Sequence, residues 1–105
     1  MNEVNANELK AMMATGNTIV IDVREQDEYD EAHIEGVHFL PMSRFNPQEV
    51  PVVKDGQDVV FQCRSGGRSA QMLQVYEAFF PDVTCHNFQG GIIAWQEAGF
   101  PVVQG

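Results

Sequence analysis

Apolar and polar positions along the chain fall into short apolar runs separated by polar segments with helical spacing. Asn5 followed by Glu8 has the pattern of an N-terminal capping box, and Leu9, Met12 and Met13 continue at helical intervals up to Gly16. Both methionines read as core filler, and Val4 as part of a short edge strand before this helix. Thr18 to Val23 is a β-branched run of the kind expected for a strand buried on both faces. Glu25 to Ala32 reads as a short acidic helix whose Glu25, Asp27 and Glu28 suit the positive end of the helix dipole. Val37 to Leu40 predicts a third strand closed by Pro41. The stretch from Met42 to Gln57, broken by Pro47, Pro51 and Gly56, predicts loop with one helical turn, with Phe45 in the core.

Asp58 to Gln62 predicts the next strand. Beyond it, Ala70 to Phe80 has helical spacing, with Met72, Leu73, Tyr76 and Phe79 or Phe80 as the buried stripe and Pro81 as the stop. Val83 to Asn87 predicts the last strand. Gly90-Gly91 opens a final helix through Trp95 to Ala98, ended by Gly99 and Pro101. Helices and strands alternate with short connections, which predicts an α/β fold with a mostly parallel sheet covered on both faces. There is no internal repeat, and 105 residues suffice for one domain, 1–105, with a real core.

Composition narrows the function classes. Hydrophobic residues make up 44% of the chain, which is ordinary for a globular domain. The formal net charge is −9, from 15 acidic and 6 basic residues; a nucleic-acid partner is not expected, because phosphate binding needs a basic face. The apolar runs fall far short of the roughly 20 residues that span a bilayer, and the first residues lack signal-peptide features, so no membrane partner is expected. Two cysteines do not suggest a disulfide framework and point to a reduced, cytoplasmic setting.

One segment changes the picture from fold to chemistry. Cys63-Arg64-Ser65-Gly66-Gly67-Arg68-Ser69 is a glycine-rich, doubly cationic loop between a predicted strand and a predicted helix. Successive backbone N–H groups in such a loop can turn inward at the cysteine sulfur, and the helix that follows adds the positive end of its dipole. Arg64 and Arg68 add full charges. All of these favour thiolate over thiol, and the thiolate is the nucleophile. Asp22 and Arg24 stand at the C-terminal end of their strand, where parallel sheets place their active crevices; they are candidate supporting residues, or a local ion pair. His33 reads as a structural hydrogen-bonding residue. Cys85 reads as a small buried hydrophobe, although a second thiol could also form a disulfide with Cys63. Cys85 and His86, adjacent on a strand, point to opposite faces; no metal and no cofactor is expected.

Three separated segments resemble one family, the rhodanese domain. Ile21-Asp22-Val23-Arg24-Glu25, with Glu28-Tyr29 and His33-Ile34-Glu35-Gly36, resembles its N-terminal signature. The loop from Cys63, closing with Arg68 and Ser69, is similar to its six-residue active-site loop. Gly90-Gly91 with Ala94-Trp95, then Gly99-Phe100-Pro101, resembles its C-terminal signature. Ala32 and Val37 depart from the usual glycine and alanine and bear on packing only.

The resemblance implies a single-domain, three-layer sulfurtransferase with a five-stranded parallel sheet. Its Cys63 would take sulfane sulfur from a small anionic donor such as thiosulfate, or from a persulfide. As a persulfide it would pass that sulfur to cyanide, a small thiol or a protein cysteine. In this reading Arg64 contacts the donor, Arg68 braces the loop together with Asp22, and Gly66 and Gly67 allow the close backbone approach. Two alternatives remain at this point: a related cysteine phosphatase or arsenate reductase, and a non-catalytic regulatory or redox-sensing module built on an exposed thiolate. The phosphatase pattern has Cys-x5-Arg, whereas here Cys63 and Arg68 enclose four residues.

Overall fold

The computed structural model describes residues 1–105. Strands β1 (Glu3–Val4), β2 (Thr18–Asp22), β3 (His38–Phe39), β4 (Asp58–Gln62) and β5 (Cys85–Phe88) form one sheet in the order β1-β5-β4-β2-β3. Every pairing is parallel. Helices α1 (Ala6–Ala14), α2 (Gln26–Glu31), α3 (Gly67–Phe79) and α4 (Gly91–Glu97) connect or follow the strands. Two 3-10 turns, Met42–Arg44 and Pro47–Glu49, occupy the proline-broken segment where one helical turn was expected.

The two central strands β2 and β4 are apolar on both faces, and the core divides accordingly. Ile19, Ile21, Val59, Phe61 and Cys63 face one way and pack with Met72, Leu73 and Tyr76 of α3. Val20 and Val60 face the other way and pack with Leu9 of α1 and Ile92 and Trp95 of α4. Side chains alternate across a strand, so one run of sequence feeds two cores.

α1 begins as its sequence predicts. Asn5 Oδ1 accepts the Glu8 N–H at 2.8 Å and Glu8 Oε1 accepts the Asn5 N–H at 3.0 Å. Two expectations are corrected in α3. The helix begins at Gly67, not Ala70, because Gly66 takes the left-handed conformation (φ +115°) and turns the chain directly into the helix. Arg68 and Ser69 therefore belong to its first turn. The apolar stripe also ends sooner than its spacing suggests: Met72, Leu73 and Tyr76 are buried, but Phe79 is 62% exposed. The helix ends at Phe80, itself 37% exposed, whose ring stacks on Tyr76 at 4.9 Å. β5 is likewise displaced, starting at Cys85 instead of Val83.

Candidate active site

The site forms where β4 ends at the centre of the sheet. Phe61 and Cys63 point toward α3, and Gln62 points to the opposite face, fully buried, with its Nε2 donating to the Cys63 carbonyl at 2.7 Å. The chain then curls over the Cys63 sulfur before entering α3. Gly66 N–H donates to Cys63 Sγ at 3.0 Å, and Ser69 Oγ lies 3.3 Å from the same sulfur. α4 closes the other side. Ile92 N–H donates to the Cys63 carbonyl at 3.0 Å and Ile93 N–H to the Arg64 carbonyl at 3.3 Å. Gly91 makes that approach possible, since a Cβ there would collide with the Cys63 and Arg64 carbonyls.

Two opposed effects act on the Cys63 thiol. Burial raises its pKa, and hydrogen bonds from Ser69 and from the Ser69, Gly66 and Ser65 backbone N–H groups lower it; the hydrogen bonds prevail and the net shift is downward. Cys63 is only 1% exposed, so its sulfur lies beneath the loop and not on the open surface. The outer loop residues Arg64 and Ser65 are exposed. Beside them a cleft of about 210 Å³ is lined by Arg24, Glu28 and Glu31 on one side and Arg64, Ile93 and Gln96 on the other.

The arginines divide differently from the expected arrangement. Arg68 does not meet Asp22. Its guanidinium forks onto Glu28 of α2, with Nη1–Oε1 at 2.7 Å and Nη2–Oε2 at 2.9 Å. That pairing holds the Glu28 carboxyl well below the usual range, at about 2, and raises the Arg68 pKa. Asp22 is instead occupied by Arg24, which donates from Nε at 3.0 and 3.2 Å and from Nη2 at 2.9 Å. Both are almost completely buried.

Arg24 also donates to the carbonyls of Glu28 at 3.3 Å and Ala32 at 2.7 Å. Asp22 and Arg24 thus carry no contact to Cys63; they seat α2, which presents Glu28 to Arg68, which anchors the loop. Arg64 makes no comparable ion pair and is the loop arginine that lines the cleft.

Two residues of this arrangement were given no part in the site by sequence reasoning. Glu28 was read only as a first-turn acid suited to the helix dipole and as part of the N-terminal signature. Its only local signal is the capping pattern it forms with Glu25, whose N–H its Oε1 accepts at 3.1 Å. Asn87 of β5 is 3% exposed and touches both Ser69 and Gly66. In the sequence it stands between His86 and Phe88, with Gln89 two positions on, so no local signal marked it. His33 takes a structural role: its Nδ1 meets the Tyr29 carbonyl at 3.0 Å, its ring stacks on Tyr29 at 3.8 Å, and its backbone bridges to Val103. Cys85 lies in the α3-side core, and burial pushes its thiol up to about 11.

Comparison with known proteins bears on the family and the fold. A family model described as the rhodanese-like domain matches residues 5–98. A protein named sulfurtransferase from Allochromatium vinosum is 34% identical over 109 residues, covering 98% of this chain and 95% of that protein. The uncharacterized protein slr1261 of Synechocystis is 37% identical over 86 residues, covering 82% of this chain, which spans only 47% of that protein's length. Among solved structures, a rhodanese-related protein from Thermoplasma volcanium superposes with a TM-score of 0.81 at 25% identity, covering 100% of both chains.

Proposed function

The chain belongs to the rhodanese-like domain family, and from that premise we propose that it is a sulfurtransferase working through a persulfide on Cys63. The observation that carries this reading is the Gly66 N–H aimed at Cys63 Sγ at 3.0 Å, in a loop that closes over one sulfur atom. In the first step the Cys63 thiolate attacks the outer sulfur of a donor such as thiosulfate. A sulfur–sulfur bond to Cys63 forms, the donor's own sulfur–sulfur bond breaks, and sulfite departs with the electron pair. The terminal sulfur of the resulting persulfide carries negative charge, and backbone N–H groups of the loop stabilise it as an oxyanion hole stabilises oxygen. In the second step an acceptor nucleophile, such as cyanide or a small or protein thiol, attacks that terminal sulfur and regenerates the thiolate. Two chemical half-reactions predict ping-pong kinetics.

Arg64 is the residue we assign to the anionic donor, because Arg68 is committed to Glu28. Steady-state kinetics with thiosulfate and cyanide test this division. Arg64→Ala is expected to raise KM for thiosulfate by about tenfold, the loss of one charge-assisted contact. Arg68→Ala is expected to act mainly through loop stability and kcat. Equal effects on KM would overturn the assignment. The phosphatase alternative is disfavoured by the loop itself: with four residues between Cys63 and Arg68 it closes on a single sulfur, and Arg68 is turned away to α2.

A further inference from the structure

The side chain of Asn87 is the one polar group of β5 that reaches the loop, and nothing in the sulfur-transfer scheme uses it. It is 3% exposed and makes two contacts there. Its Nδ2 donates to the Gly66 carbonyl at 3.1 Å, and Ser69 Oγ lies 2.6 Å from its Oδ1. The first contact fixes the amide's orientation, since a carbonyl demands a donor. Oδ1 must then face Ser69, and as an oxygen without hydrogen it can only accept.

Ser69 has a single hydroxyl proton and three acceptors within reach: Asn87 Oδ1 at 2.6 Å, the Gly66 carbonyl at 3.1 Å and Cys63 Sγ at 3.3 Å. One proton cannot serve all three. The shortest contact takes it, which leaves the Ser69 oxygen free to accept a hydrogen bond from a Cys63 S–H. A thiol fits that arrangement. A thiolate does not, because a lone pair of Ser69 would then face the negative sulfur.

We propose that Asn87 holds the Ser69 hydroxyl proton while Cys63 is a thiol and yields it to the sulfur when the thiolate forms, making Asn87 a positioning residue that sets how readily Cys63 ionises. The proton that leaves Cys63 goes to solvent, and the Ser69 proton only rotates, so no further reactant is needed. The cost of ionisation is the loss of the Asn87–Ser69 hydrogen bond. The role matters for turnover only if Cys63 is the sulfur carrier, and so rests on the preceding proposal. The titration that tests it needs no sulfur donor and stands apart from that proposal.

The charged groups around the loop are Arg64 on it, Arg68 of α3 with its partner Glu28 of α2 and with Glu25 beside that helix, and the Asp22–Arg24 pair at the end of β2. α4 brings only uncharged groups to the loop carbonyls: Gly91 and the Ile92 and Ile93 N–H groups. On β5, His86 is engaged by Asp58 and Cys85 lies in the α3-side core. The variants below leave all of these in place. Gly66 O also keeps a partner in them, since it accepts the Ala70 N–H at 3.3 Å.

The experiment is the pH dependence of iodoacetamide alkylation at Cys63, followed by peptide mass mapping in the full chain. Asn87→Ala should lower the midpoint by about one pH unit, a tenfold gain in thiolate below it. Asn87→Asp keeps the shape and holds the proton more tightly, and should raise the midpoint. Ser69→Ala should also raise it, and adding Asn87→Ala to Ser69→Ala should then change nothing. A midpoint that rises or stays put in Asn87→Ala, one that falls or stays put in Asn87→Asp, or an Asn87→Ala effect that persists without the Ser69 hydroxyl would overturn the proposal.

Discussion

Cys63 directly follows β4 and Cys85 opens the neighbouring parallel strand β5; both lie in the same α3-side core and are at least 95% buried, at 1% and 5% exposure. Burial alone would make them alike, since removing a thiolate from water raises the pKa of any thiol. Cys85 follows that rule. Its only hydrogen-bond partner is the Val83 carbonyl at 3.6 Å, which can take a proton but not give one, and the negative charges of Glu77 and Asp58 reinforce the effect of burial. Cys63 departs from it because the chain beyond it turns back and offers donors. What separates the two thiols is the set of donors around Cys63, the Ser69 hydroxyl first and the backbone N–H groups of the loop after it, held in place by the left-handed turn at Gly66.

The largest consequence is a difference in alkylation rate. At neutral pH iodoacetamide should modify Cys63 at least about a hundredfold faster than Cys85 in the native protein, since a thiol near pKa 11 is almost wholly protonated there. Mass mapping of the two cysteine peptides over time checks this, and denaturant should abolish the difference. Comparable native rates would break the contrast.

A smaller effect tests the support that only Cys63 has. Glu28 ties α2 to Arg68, and Glu28→Gln should cost about 0.5–1 kcal/mol of stability, modest because both side chains are partly exposed, at 33% and 26%. The sign with pH follows from the lowered carboxyl. A folded-state value of about 2 against an ordinary 4.5 means the contribution is fully present above 4.5 and is lost as pH falls toward 2. Urea unfolding of both proteins across that range should show the gap closing on acidification. A gap independent of pH would show that Glu28 acts by shape and not by charge.

The contrast between the two cysteines also marks how much of the molecule was legible in its sequence. Apolar periodicity located the strands, and the Asn5–Glu8 capping box located α1, because those signals are local. The loop from Cys63 to Ser69 was legible because glycines, a cysteine and two arginines are compressed into seven residues. The placement of Cys85 in the core also agrees with its reading as a small hydrophobe. Partner choice was not legible. Arg68 pairs with a carboxylate 40 positions away, chosen from an acidic helix in which Glu25, Asp27, Glu28 and Glu31 look alike until Arg24 seats that helix. Asp22 was expected to brace Arg68 but is saturated by Arg24 two residues along. The start of α3 was placed three residues late because the left-handed turn at Gly66 is a backbone state that spacing does not reveal. Asn87 acquires meaning only once β5 lies beside β4.

The central claim is that Cys63 carries sulfane sulfur. Intact-mass spectrometry of the reduced protein before and after thiosulfate tests it most directly. The protein should gain one sulfur that maps to Cys63, disappears on adding cyanide and is absent in Cys63→Ser, with Cys85 unmodified throughout. Cyanide lability separates one sulfur from two oxygens of nearly equal mass. If neither thiosulfate nor a persulfide donor left a cyanide-labile sulfur on Cys63, the sulfurtransferase account would be contradicted.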